Sequence, residues 1–203
     1  MTEKTYTPSA LEAIARVTLK SFDPSLVTGE PRSTPIEKIA EWLGLAVMFF
    51  CLKKDGSILG RIFFEDTYVP IYDVLQKQYR MVFVKRGTII LDESLLHGKN
   101  DGRLRFTCAH EIAHWLIHEY YFLGNGCTAA LLNPQMIPLT SGKIERQANI
   151  IASCLLMPAG QVKKAFYRLS SHEKINARYY LAKLFDVSFE SMGIFIEDHN
   201  LVL

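Results

Sequence analysis

The sequence predicts an α+β fold: a small, mainly antiparallel sheet, helices packed against it, and a helical C-terminal tail. Three observations carry this. Between residues 45 and 91, short apolar runs are punctuated by turn residues, the pattern of consecutive strands. Residues 34–43 and 143–157 repeat apolar side chains at helical spacing. Residues 103–118 are apolar nearly all round and contain no Pro or Gly, the mark of a buried helix.

The chain has 203 residues, of which 49% are hydrophobic and 22% charged, with a formal net charge of +2. That composition belongs to an ordinary globular protein with enough chain for a core. A charge this close to zero gives no electrostatic case for nucleic acid or an anionic membrane. No stretch approaches eighteen consecutive apolar residues, so no membrane span is expected. No apolar core follows a basic start at the N-terminus, so no secretory signal is expected either. Cys51, Cys108, Cys127 and Cys154 form no C-x-x-C, and all but Cys127 fall in apolar runs. They read as reduced cysteines of a cytoplasmic protein.

The first helix is expected over 9–21, with Ser9 and Glu12 as a capping box and Leu11, Ile14, Ala15 and Thr18 on one side. Residues 23–33 read as a loop, and 1–33 as a loosely attached arm. Thr34-Pro35-Ile36-Glu37 starts the next helix with Thr34 as its cap, and Gly44 ends it. Leu45–Leu52 reads as a strand. The Asp55-Gly56 turn leads into a second over Ser57–Phe64. Thr67–Tyr72, Met81–Val84 and Thr88–Leu91 follow as strand candidates. The long buried helix comes next, with Asn100 or Asp101 as its cap. Residues 120–142 hold Gly124, Gly126, Pro134 and Pro138 and read as irregular. They either border a cleft or form a surface loop. After the helix over Lys143–Met157, the tail offers helices near 159–169 and 171–185 and one starting at Ser188, with Ser171 and Ser188 as caps. The organisation expected is an arm over 1–33, a core over 34–158 and a helical cap over 159–203.

The long helix carries the chemistry. It contains His110-Glu111-Ile112-Ala113-His114, an H-E-x-x-H. Residues four apart are neighbours on one helical face, so two imidazoles can aim at one ion. Glu111 sits one step round, placed to act as a general base. Three ionisable side chains on a buried helix are costly unless paired or metal-bound. Two histidines leave a hydrolytic metal site incomplete, so a third ligand is required.

Candidates for that ligand are Glu145, His118, His97, Asp92 and His172. Eight residues advance a helix by about 12 Å with about 80° of rotation, so His118 cannot reach an ion held by His110. It reads as a helix-end side chain. Glu145 lies in the first turn of the next helix, at the edge of the stripe formed by Ile144, Ala148, Ile151, Ala152 and Leu155. Spacing alone leaves it two roles, a ligand or a carboxylate complementing the helix dipole. Asn149, one turn on, either supports a ligand or sits on the helix surface.

Three segments occur in a telling order. They are Ile36–Leu45 (I-E-K-I-A-E-W-L-G-L), Arg105–His114 (R-F-T-C-A-H-E-I-A-H), and Glu145–Asn149 (E-R-Q-A-N) running to Leu155-Leu156-Met157-Pro158. Over 34–158 this resembles the ImmA/IrrE family of zinc metallopeptidases. The resemblance implies a zincin-type active-site helix, a second ligand-bearing helix, and Zn²⁺ held by His110, His114 and Glu145 with Glu111 catalytic. It also implies a cytoplasmic protease whose substrate is a helix-turn-helix repressor of a mobile element or stress regulon. The alternative is a metal-stabilised partner that grips such a regulator without cutting it. Leu181–Ser188 faintly echoes a helix-turn-helix. The segment after it, Phe189–Asp198, has three acids and no Lys or Arg, so no direct nucleic-acid binding is expected. Thr88–Leu91 is expected to receive an extended substrate if it lies at a sheet edge. Tyr79 and Tyr121 are candidates to stabilise an oxyanion.

Overall fold

The computed structural model describes residues 5–97, 101–124 and 142–201. The expected cap at Asn100, Cys127 and most of the 120–142 loop lie outside them.

Thr7, rather than Ser9, starts the first helix. Its Oγ1 accepts from the Ala10 N–H at 3.2 Å, and Pro8 takes the first helical position of α1 (Pro8–Phe22). Leu11, Ala15 and Leu19 are fully buried in the main core, with α1 packed along the later helix that carries Glu145. The expected loose arm is therefore a packed element, because its stripe extends to Leu19. A single turn, α2 (Ser25–Thr28), interrupts the following loop.

Thr34 does not cap α3 (Ile36–Trp42). Its Oγ1 is buried without a hydrogen-bond partner among the described residues, while its carbonyl accepts from Arg105 at 2.8 Å. Gly44 ends the helix with φ +75°, a conformation glycine adopts without steric cost.

The sheet corrects the expected topology. Its strands are β1 (Ala46–Phe49), β2 (Gly60–Ile62) and β5 (Thr88–Leu91), while β3 (Thr67–Asp73) and β4 (Gln78–Val84) form a separate antiparallel hairpin. The order is β1-β5-β2. β1 runs parallel to β5, and β2 runs antiparallel to it, so the sheet is mixed. The Asp55-Gly56 turn does form, with Gly56 at φ +64° and its N–H donating to the Lys53 carbonyl at 2.9 Å. The strands on either side of it do not pair, because β5 inserts between them. All four residues of β5 are buried, as a central strand requires. Its alternation divides two cores. Ile89 and Leu91 join the main core on the helical side, and Ile90 joins Leu52, Phe63, Val69 and Val84 under the hairpin.

A 3-10 turn at Glu93–His97 leads towards α4 (Asp101–Ile117). A short α5 (Glu119–Gly124) occupies what read as the start of the irregular stretch. Then come α6 (Gly142–Leu156) and the tail helices α7 (Ala159–Arg168), α8 (Ser171–Lys174), α9 (Ala177–Phe185) and α10 (Phe189–Asp198). The helix expected over 171–185 breaks between α8 and α9. Ser170, not Ser171, is its cap, in a reciprocal box with Glu173. Ser188 caps α10 as expected, accepting from the Ser191 N–H at 3.0 Å. Phe166, Phe185, Met192 and Phe195 bring the tail into the main core. Among the described residues, no helix is long and apolar enough to cross a membrane.

Candidate metal centre

The local sequence fixes how α4 is turned. Cys108, Ala109, Ile112 and Ala113 are wholly buried and face the core. That leaves His110, Glu111 and His114 on the sides that meet α6 and β2. α6 packs along α4, with its Ile144, Ala148, Ile151 and Leu155 buried. This stripe brings Glu145 over the two imidazoles.

The three donors converge. His110 Nε2 and His114 Nε2 lie 2.9 Å apart. Glu145 Oε2 is 3.0 Å from His110 Nε2, and Oε1 is 3.5 Å from His114 Nε2. The ligand atoms of all three residues fall within 4.8 Å of one another. The His114 side chain is 4% exposed and that of Glu145 is 37% exposed, so the cluster is closed below and reachable from the Glu145 side. His118, His97, Asp92 and His172 lie outside the group. Asp92 is buried at the end of β5, where its Oδ1 accepts from the Ser94 N–H at 3.0 Å. Glu111 also stays outside the group, buried against β2.

The donor set fits a divalent metal ion. Two imidazole nitrogens and a carboxylate oxygen are the ligands that a catalytic ion takes while keeping a further position free. The far side of each ring is held by the protein. His110 Nδ1 lies 2.9 Å from Asn149 Oδ1, an acceptor, so that nitrogen carries a proton and Nε2 is the atom aimed at the other two donors. His114 Nδ1 lies 2.9 Å from His118 Nδ1. Asn149, open between two roles by spacing, thus contacts the His110 ring.

Charge follows the same geometry. Burial acts to lower the His110 pKa, but hydrogen bonding to Glu145 and the Glu111 and Glu145 charges outweigh it and raise it. A proton therefore competes with any ion at this site. For His118, burial first and the neighbouring His114 second push the pKa down to about 4, so its ring is neutral at pH 7.

Aromatic rings close the C-terminal end of α4. Phe122 of α5 packs edge-on to His114 at 5.4 Å and stacks on Phe64 at 5.1 Å. Trp115 stacks on the other part of that shelf, 5.7 Å from Phe64, under the Arg86 guanidinium. Of the two tyrosine candidates, Tyr79 lies on the hairpin, where its hydroxyl accepts from the Lys54 N–H at 3.3 Å. Tyr121 packs edge-on to Phe122. Sequence reasoning missed Phe122 and the contact of His118 with His114. An H-x-x-x-H spacing at 114 and 118 was the available signal for the latter.

Fold and site together define a chain of the metallopeptidase class: an α+β protein presenting two histidines of one helix and a glutamate of the next to a single point. The family model described as the IrrE N-terminal-like domain, a peptidase family, matches residues 70–197. The chain belongs to this family. The match takes in α4, α6 and the tail to residue 197; it starts later than the 34–158 span of the sequence resemblance and runs past its end. Among curated proteins, none matches the chain.

Proposed function

We propose that the protein is a zinc-dependent endopeptidase in which His110, His114 and Glu145 hold the ion and Glu111 is the catalytic base. The observation that carries this is the convergence of the three donors, with a buried carboxylate one residue along the same helix and outside the ligand group. Zinc bound there polarises the scissile carbonyl and makes water a nucleophile near neutral pH. Glu111 takes a proton from the attacking water and delivers it to the leaving amide nitrogen. Asn149 holds the His110 ring in the tautomer whose Nε2 is free to bind. A purely structural metal site has no use for a carboxylate at position 111, which favours catalysis over mere gripping of a partner.

The substrate lies as an extended strand along β2. The expected strand, Thr88–Leu91, has both of its edges occupied, whereas β2 is an edge strand among those described. β2 rests on α4 with Gly60 beside Glu111. Backbone pairing at such an edge presents a peptide bond regardless of side chain, and pockets alongside give selectivity. The family resemblance supports a helix-turn-helix repressor as the physiological substrate and a place in the cytoplasm.

Glu111→Gln tests the reading. Incubated with zinc and a helix-turn-helix repressor from the same source, the wild type yields new termini by mass spectrometry. The variant binds zinc with the same stoichiometry and yields none, a loss of at least about 100-fold in rate. Equal behaviour of the two proteins towards the partner removes the peptidase assignment.

A further inference from the structure

The β3–β4 hairpin is apolar on both of its faces. Alternation sends Val69, Ile71 and Val84 inward, and all three are buried. The outward face of such a hairpin is ordinarily polar, because it meets water. Here it is a ladder of three rungs: Tyr68 opposite Phe83, Pro70 opposite Met81, and Tyr72 opposite Tyr79. The rings of each outer rung meet at 5.3 Å. Tyr68, Tyr79, Met81 and Phe83 are 41–56% exposed among the described residues. A contiguous apolar patch marks an interaction site, which scattered exposed residues do not.

We propose that this face binds a second copy of the chain, in a two-fold dimer whose hairpins pack face to face. Three observations select that occupant. First, none of the six ladder residues is an acid or a base of the Asp, Glu, Lys or Arg kind, so a two-fold that lays the face on itself brings no like charges together. Nucleic acid or an acidic segment would call for Lys or Arg within the ladder. Lys54 lies at one end of it, with Nζ 6.0 Å from the centre of the Tyr72 ring. Second, the area suffices. Aromatic side chains bury about 150–250 Å² each, and roughly half of that is still open here, so the face offers on the order of 500 Å² per copy. Two copies bury about 1,000 Å², the lower end for a specific interface and the size of a weak dimer. Third, the hairpin covers the sheet on the Ile90 side, whereas the main core and α4 lie on the side of Ile89 and Leu91. A copy seated on the hairpin therefore leaves the His110, His114 and Glu145 donors open, and a substrate held at those donors leaves the hairpin uncovered. The dimer stands independently of the metal-site reading. Any two-fold through the centre of the face keeps the Pro70–Met81 rung on its own copy, which puts Met81 at the middle of the interface.

The test uses the full-length protein from about 1 to 300 µM, the range in which an interface of this size associates. Sedimentation equilibrium reads the molecular weight, and far-ultraviolet circular dichroism reports the fold. The expected result is a monomer–dimer equilibrium in the wild type. Leu75→Glu keeps it, since Leu75 is exposed in the hairpin turn, off the ladder. Met81→Glu sets two carboxylates together at the centre and weakens the dimer at least about 10-fold. Phe83→Ser weakens it by removing a ring from an outer rung. Both keep the wild-type dichroism spectrum. Raising the wild-type concentration slows amide hydrogen exchange over residues 67–84 and leaves α4 unchanged. A wild type that stays monomeric throughout, a dimer that Met81→Glu leaves intact, or slowing confined to other elements overturns the proposal. Binding of a single-stranded oligonucleotide or an acidic peptide by the monomer, lost in Phe83→Ser, gives the face to that partner and overturns it as well. If Met81→Glu does not fold, Phe83→Ser and the exchange measurement decide.

Discussion

Cys108 sits two residues before the first histidine of the motif, yet its thiol is sealed in the core. Burial, reinforced by the Glu37 and Glu111 charges, pushes its pKa up to about 12, and burial pushes Cys154 up to about 11. The thiolate is both the nucleophile and the metal ligand, so Cys108 neither competes for the ion nor reacts. Iodoacetamide at pH 8 is expected to leave Cys108 unmodified in the native protein and to label it fully after denaturation, as read by peptide mass spectrometry. At the same scale, His110 and Asn149 show where sequence reading stops. Spacing put Asn149 on the face of α6 that also bears Glu145. Whether its Oδ1 reached a ring on another helix depended on how closely the two helices pack.

At the scale of elements, β2 and α4 meet with little tolerance. A Cβ built on Gly60 would lie 2.6 Å from Thr107 Cγ2 and 2.9 Å from Glu111 Oε1. Thr107 cannot turn away without cost, since its hydroxyl donates to the Arg103 carbonyl at 2.9 Å and its side chain is β-branched. Gly60→Ala must therefore lift β2 or tilt Glu111. Misplacing a catalytic group by a fraction of an ångström to 1 Å costs on the order of 100-fold. Gly60→Ala is expected to lower kcat by about that factor while zinc stoichiometry stays at the wild-type value. An unchanged kcat would show that β2 does not set the position of Glu111. The mixed sheet belongs to this scale too. The Asp55-Gly56 turn was legible, but two strands flanking a good turn pair only if no third strand competes for the same edge. β5, apolar on both faces, takes that edge.

Across the whole molecule, one buried cation ties distant parts of the chain. Arg105 is 7% exposed. Its Nε donates to the Asp186 carbonyl at 2.9 Å and its Nη2 to the Thr34 carbonyl at 2.8 Å, with Asp186 Oδ2 at 3.2 Å. These bonds join α4 to the entry of α3 and to the left-handed turn between α9 and α10. Arg105→Ala leaves two carbonyls without a charged donor. Each such hydrogen bond is worth about 1.5–3 kcal/mol, so a loss of about 3–6 kcal/mol is expected in denaturant unfolding. A loss below about 1 kcal/mol would show that water replaces the guanidinium. The same core that holds Arg105 also takes in α1 and the tail, which is why neither behaves as an appendage.

The sequence by itself named the candidate site residues and their order. Helical periodicity is a local property, so it placed His110, Glu111 and His114 on neighbouring faces of α4. It also excluded His118 from the ligands, and it put Glu145 at the rim of the α6 stripe. Only the tertiary structure decided that Glu145 reaches the imidazoles, that β2 rather than β5 offers an edge, and that His118 Nδ1 meets His114 Nδ1. Each of these depends on the packing of elements far apart in the chain, where the competition between burial, strand pairing and hydrogen bonding is settled by the fold as a whole.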